Sequence, residues 1–295
     1  MVRSARRQER YSLSKQSEQP SVVSRQPSLR VEENRARVDG DELAVEAPCE
    51  IRLGGRSYVL LMATPADLRH LALGFCLTEG LVASTREVLD ISLGGDELPG
   101  VGPVYWADVS LPPELARRAR ARRAAPAATS CGLCGLESFR DLGGGIVPVR
   151  SALTVELENI QKLFKAMEEG QGIYRRTGAA HAVALGNAQG ELLHLAEDVG
   201  RHNAMDKVLG MAMSEGRDLS ECVCAVSGRI SLEMALKAAR AGLPMVSSVS
   251  AATSLGRKIC EQSGVTLLGF VRQGRATIYC HPQRVLNQGE PLPGL

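Results

Sequence analysis

Aromatic residues are scarce in this sequence: Phe, Trp and Tyr make up 3% of 295 residues, with a single Trp. A platform for single-stranded nucleic acid needs exposed rings on which bases stack, so that class of function is disfavoured. A dominant charge is missing too. The formal net charge is +2, too small for a general polyanion binder. No apolar run reaches the ~18–20 residues that span a bilayer. The first thirty residues, MVRSARRQERYSLSKQSEQPSVVSRQPSLR, hold no hydrophobic stretch of the kind a secretory leader carries. The eight cysteines are therefore expected as reduced thiols of a cytoplasmic protein, not as a disulfide framework.

What is present suits a globular chain: 44% hydrophobic and 23% charged residues, with length for one large domain or two smaller ones. Residues 1–35 are polar, rich in Ser and Gln, and read as a disordered tail. Residues 36–125 read as a small α+β unit. In it, DELAVEAPCEIRLGGRSYVLLMAT forms strands around a Gly54–Gly55 turn. Thr64-Pro65-Ala66-Asp67 is expected to open a helix capped by Thr64, with Leu68, Leu71, Phe75 and Cys76 on its apolar face. Residues 91–103 read as a Gly/Pro-rich loop and VYWADVSL as a strand. PPELARRARARRAA follows, with five arginines from Arg117 to Arg123. It is either a solvated helix or linker, or an anion- or partner-binding patch.

Residues 126–145 read as a mobile loop carrying Cys131-Gly132-Leu133-Cys134. From 146 to 285, strands alternate with helices of roughly 10–13 residues, which implies a mostly parallel sheet with helices on its faces. Here IVPV is a strand, Thr154 caps a helix to about Glu169, and HAVALG and ELLHLAED pair around Asn187–Gly190. Ligands of such a sheet sit at the C-terminal ends of its strands. Residues 286–295 are read as a tail.

The CxxC has no second CxxC to complete a zinc site, which needs about four N or S ligands. Cys222 and Cys224 lie two apart in an expected strand and belong to one buried face. Cys280-His281 is a remote candidate for completing a site with Cys131 and Cys134. A thioredoxin-like dithiol is disfavoured by the missing Trp and Pro around the cysteines. Gly-rich surroundings and nearby arginines suit a reactive thiolate, but these residues leave open whether its cargo is electrons or sulfur.

Four stretches at expected strand ends carry further chemistry. In AEDVGRHNAMDK, Glu197, Asp198, Arg201, His202, Asn203, Asp206 and Lys207 crowd one junction. They form either a salt-bridged helix start or a site in which Arg201 and His202 face an anion. VSGRIS repeats strand, Ser-Gly-Arg, helix, with Arg229 beside Gly228. SVSAATS is rich in hydroxyls. GFVRQGRATIY is a hairpin turning at Gln273–Gly274, flanked by Arg272 and Arg275. His181 in GAAHAVAL lacks the His-x-Glu partner of zinc deaminases, since position 183 is Val, and deamination is excluded.

Taken in order from about residue 36 to about 285, SCGLCG, GAAHAVAL, EDVGRHNAMDKVLG, SGRISLEMALKAARAG, SAATSL and GVTLLGFVRQGRATIY closely resemble the formate dehydrogenase accessory sulfurtransferase family (FdhD/NarQ). The resemblance implies a three-layer, cytidine-deaminase-like α/β domain with a mixed sheet and no zinc, preceded by a smaller α+β domain, in a cytoplasmic homodimer. It implies an enzyme, a sulfurtransferase with a cysteine persulfide intermediate. A cysteine desulfurase loads Cys131, with Cys134 in support. The sulfur passes to the molybdenum cofactor bearing two pyranopterin guanine dinucleotides, for which GDP is an analogue, and the formate dehydrogenase catalytic subunit receives the product. The expected cofactor-binding residues are Phe270, Val271, Arg272, Gln273, Gly274 and Arg275, with Arg201, His202 and Arg229. Neither nucleic acid nor membrane is an expected partner. A non-catalytic cofactor chaperone and a dithiol reductase are the competing readings.

Overall fold

The computed structural model describes residues 20–121 and 148–294. Its first element is a two-stranded ribbon, β1 (Val23–Glu32) and β2 (Arg35–Ala44), paired from Val23↔Ala44 to Glu32↔Arg35. Residues 23–32 were expected in a disordered tail. They are a strand because β2 gives each polar residue a ladder partner, although little of the ribbon is buried. Arg176 holds its base by donating to both carboxylate oxygens of Glu42, at 2.7 and 2.9 Å.

Next come β3 (Ala47–Leu53), β4 (Arg56–Ala63), α1 (Leu68–Thr78), β5 (Asp90–Leu98), β6 (Gly102–Ser110) and α2 (Pro113–Ala121). The sheet order is β4-β3-β6-β5, with β3 and β6 parallel. Ala47, Cys49, Ile51 and Leu53 are buried while the residues between them are half-exposed, the period of two that turns one sheet face inward. Residues 91–98, expected as loop, are strand β5. Gly94 lets it pair there, since a Cβ would stand 2.1 Å from the Trp106 ring. Helix α1 starts at Leu68, not at Thr64. Thr64 is fully buried and spends its polar groups on the C-terminal half.

That half contains β7 (Val155–Glu156), α3 (Leu157–Gly170), α4 (Gly172–Thr177), β8 (His181–Gly186), β9 (Leu192–Asp198), α5 (Arg201–Ser214) and β10 (Val223–Val226). It continues with α6 (Leu232–Arg240), β11 (Met245–Ser248), α7 (Ser254–Ser263), β12 (Thr266–Arg272), β13 (Arg275–Cys280), β14 (Val285–Asn287) and β15 (Glu290–Pro291). The main sheet runs β13-β12-β11-β10-β8-β9. Its parallel pairs are β10–β11 and β11–β12, while β8 pairs antiparallel with both β10 and β9. The sheet is mixed, not mostly parallel, because short turns join β8 to β9 and β12 to β13, and a tight hairpin makes its strands antiparallel.

Other expectations shift at the edges. Pro148 and Val149 join no sheet; Val149 N–H donates to the Ser263 carbonyl. Thr154 does not cap α3, because Val155 and Glu156 first pair with β14. Residues 286–287 and 290–291, expected as tail, lie in β14 and β15.

Alternate strand residues face two helical layers. Ala182, Ala184, Val223, Ala225 and Leu268 meet Ile160, Leu163 and Phe164 of α3. Val183, Leu185, Cys224, Val226 and Leu267 face the opposite core, with Met205 and Leu209 of α5 and Met234 of α6. That core runs without a break into Ile51, Leu61, Leu71 and Phe75 of the N-terminal unit. Helix α1 lies directly on α5: a Cβ on Gly74 would stand 1.8 Å from the Asp206 carbonyl oxygen, and one on Gly210 would stand 1.9 Å from that of His70. The boundary expected between the two domains is thus a change of element order, not of core.

Candidate functional site

The charged stretch at the start of α5 divides into two sets. The first holds the fold together. Asp198 and Lys207 are both fully buried, with Nζ 2.7 Å from Oδ2. Asp198 also accepts from the Thr64 N–H at 3.1 Å, the Gly200 N–H at 2.9 Å and Asn203 Nδ2 at 3.0 Å. Lys207 donates to the Thr64 carbonyl at 2.9 Å, and Asn203 to that of Met62 at 2.8 Å. One turn on, Asp206 lies 2.8 Å from Lys237 and accepts from the Thr78 hydroxyl at 2.8 Å. Glu197 accepts from the N–H groups of Ile173 and Tyr174. A charge leaves water at tolerable cost only when paired and hydrogen-bonded, and these residues satisfy one another.

Arg201 and His202 form the second set. They are the first two residues of α5, where helix geometry leaves N–H groups without intrahelical partners. Arg201 Nε and His202 Nε2 are buried with no hydrogen-bond partner. The Glu233 carboxylate stands 3.9 Å from His202 Nε2, beyond hydrogen-bonding range. Burial, and then the Arg229 guanidinium, push the Arg201 pKa down. Burial, then Arg201 and Lys237, push His202 down to about 4. His181 is lowered by burial and then by Arg201. Its Nδ1 lies 3.2 Å from Ser227 Oγ, which accepts from the Ala182 N–H at 2.9 Å. The cluster is a guanidinium flanked by two imidazoles that stay neutral near pH 7, open for an oxyanion that would accept from Arg201.

The loops after β10 and β11 extend this cluster along the sheet edge. Ser248 Oγ donates to the Gly228 carbonyl at 2.6 Å, the Ile230 N–H to that of Ala251, and the Val249 N–H to that of Val226. The hairpin joins next: the Phe270 N–H donates to the Ser250 carbonyl, and Arg272 Nη1 to that of Val249 at 2.6 Å. Phe270 has φ 51 and lies 48% exposed, where the pairing of β12 and β13 slips between Gly269 and Arg272. A left-handed conformation at a bulky residue is a strained one, and here it accompanies a ring facing solvent. Gly274 turns the hairpin at φ 73, beside exposed Gln273 and Arg275.

Arg201 and His202 thus stand together with Arg229 within electrostatic reach of Arg201, and the hairpin lies along the same sheet edge. Val271 does not line that edge: it is 1% exposed and packs in the core beneath α3. His181 and Ser227 belong to the cluster without having been assigned to it from sequence, and Gly228, noted there beside Arg229, lies against both His181 and Arg201. The missing signal was topological. Because β8 runs antiparallel to β10, with Val183↔Val226, the start of one strand falls beside the end of the other.

Cys131 and Cys134 lie outside the described residues. The other six cysteines are all buried. Burial pushes the thiols of Cys49 and Cys76 up to about 12 and those of Cys222 and Cys280 to about 11, and raises Cys224 and Cys260 as well. Cys280 Sγ contacts the Val265 carbonyl, and His281 Nε2 that of Glu261. Among the described residues, no three His, Cys, Asp or Glu side chains gather as a metal site. No described helix is long and apolar enough to cross a membrane.

Residues 44–286 match the FdhD/NarQ family. The chain belongs to that family. The FdhD/NarQ span takes in the N-terminal sheet and the whole strand-end cluster, while β1 precedes it. One relative is the sulfur carrier protein FdhD of Bordetella bronchiseptica, 37% identical over 251 residues, covering 85% of this chain and 90% of that one. A solved structure described as a formate dehydrogenase accessory protein, from Desulfotalea psychrophila, matches with a TM-score of 0.72 at 24% identity. It covers 90% of this chain and 100% of its own.

Proposed function

We propose that this FdhD/NarQ chain is a sulfur carrier for formate dehydrogenase maturation, with a persulfide on its CxxC. The observation that carries the reading is the state of the thiols. Six of eight cysteines are buried, and the thiolate is the form that reacts. Sulfur carriage therefore falls to Cys131 and Cys134. A cysteine desulfurase is the donor: the Cys131 thiolate attacks the outer sulfur of the donor's persulfide, a new S–S bond forms, and the donor's thiolate departs. An electron pair of the acceptor then forms a bond to the outer sulfur, the S–S bond breaks, and Cys131 departs as a thiolate that keeps the bonding pair.

The acceptor is the molybdenum cofactor with two guanine dinucleotides, bound as substrate. In this reading its phosphates lie against Arg201 and Arg229 and the first turn of α5, and Phe270 and the hairpin arginines take the nucleotide. The unpartnered Arg201 Nε and His202 Nε2 support that assignment.

The test combines mass spectrometry and calorimetry on the full chain. After incubation with a desulfurase and cysteine, wild type should gain one sulfur atom, retained by Cys134→Ala and absent from Cys131→Ala. Arg275→Ala should bind GDP more weakly and still accept sulfur. No gain by wild type either from the desulfurase or from a small-molecule persulfide, with GDP binding intact, would favour a non-catalytic chaperone. A Cys131–Cys134 disulfide turning over with a reductase would favour redox chemistry.

A further inference from the structure

We propose that the arginine surface made by α2 and the β3–β4 turn docks an acidic face of the protein that delivers sulfur. The proposal rests on the sulfur-carrier reading and concerns a part of the molecule far along the chain from the strand-end cluster.

Arg52 and Arg56 flank the Gly54–Gly55 turn, and α2 adds Arg117, Arg118 and Arg120. The two elements are in contact, since Arg120 Nη2 donates to the Leu53 carbonyl at 3.2 Å. The nearby carboxylates are already engaged. Glu50 pairs with Arg52, Glu114 pairs with Arg117 at 2.7 Å, and Asp108 accepts from the Gly55 N–H at 2.8 and 3.0 Å. Among the described residues, Arg120 is satisfied only by a neutral carbonyl. The side chains of Arg56 and Arg118 are exposed and enter no hydrogen bond or ion pair among the described residues. A basic residue in a helix's last turn offsets the helix dipole, which accounts for Arg118 and Arg120 of α2. It does not account for Arg56, which stands on a strand.

The position matches a sulfur-delivery role. Cys131 follows Ala121, the end of α2, by ten residues. Covalent geometry therefore keeps any donor that reaches this thiol within about 35 Å of the surface. Unpaired exposed guanidiniums act mainly on encounter, raising the association rate of a partner of opposite charge. An acidic protein face fits better than nucleic acid. The only Trp, Trp106, has Arg52 stacked 4.9 Å from its ring centre and is not free to take a base, and the chain's net charge is just +2.

The test compares wild type with an Arg56→Glu/Arg118→Glu variant, which removes no side-chain hydrogen bond or ion pair among the described residues. Each is loaded with sulfur in two ways, by a cysteine desulfurase with cysteine and by glutathione persulfide, which needs no docking. The variant should load about tenfold or more slowly from the desulfurase at low ionic strength, approach wild type as salt rises, and match it with glutathione persulfide. Equal rates from the desulfurase at low salt would overturn the proposal. So would loss of polyuridylate binding by the variant with desulfurase loading unchanged, which would assign the surface to nucleic acid. If wild type loads from glutathione persulfide but not from the desulfurase, the docking proposal falls and the carrier reading stands. If it loads from neither, both fall.

Discussion

Arg201 lies across the open face of Gly228: its Cδ is 3.0 Å from where a Cβ on that glycine would stand, and the His181 ring is 3.3 Å from the same point. A methyl group there has to displace one of these side chains. Gly228→Ala is therefore expected to lower GDP affinity by about tenfold or more, since a hydrogen bond to a charged group contributes ~1.5–3 kcal/mol. The thermal midpoint should hardly move, because side chains rather than backbone give way. Calorimetry and a melting curve on the same sample check both halves.

Lys207 is fully buried against Asp198. Lys207→Met keeps the length and leaves a buried carboxylate without its counter-charge, which should cost roughly 3–5 kcal/mol of stability. Urea denaturation reads that loss. A Lys207→Met/Asp198→Asn double variant should recover part of it, whereas a loss confined to packing would not be recovered.

Acid should weaken the fold through the strand-end histidines. The folded pKa of His202 is about 4, below the ordinary 6.5. Between those values the unfolded chain binds a proton that the folded chain refuses, so stability falls as pH drops from 6.5 towards 4. His181 acts in the same direction. Across pH 7 to 8 neither ring changes charge. In imidazole NMR spectra of the folded chain, His202 should show no titration midpoint above pH 5.5 or so. A His202→Gln variant should lose part of the acid sensitivity in denaturant midpoints.

Local signals were legible where one element decides the outcome. The Gln273–Gly274 turn, the buried Cys222 and Cys224 and the pairing of β8 with β9 all follow from local pattern and turn chemistry. What escaped depended on partners distant in the chain. Thr64 looks like a helix cap but answers to Asp198 and Lys207, more than a hundred residues away. Residues 91–98 look like loop until Trp106 lies over Gly94. Within EDVGRHNAMDK, residue type alone could not divide the architectural charges from the two groups without partners. That division depends on which atoms find a counterpart in three dimensions.

Helix α5 carries both kinds of residue on one rigid rod. Its buried charges are satisfied by Thr64 and Thr78 of the first half and by Lys237 of the second, and its first turn bears Arg201 and His202. Neither half can be inherited separately. A chimera joining the first half of one FdhD/NarQ protein to the second half of another must match the hydroxyls, the carboxylates and the small-residue contact at Gly74 and Gly210 together. Exchange of segments between relatives is therefore confined to places that α5 does not touch, such as the β1–β2 ribbon.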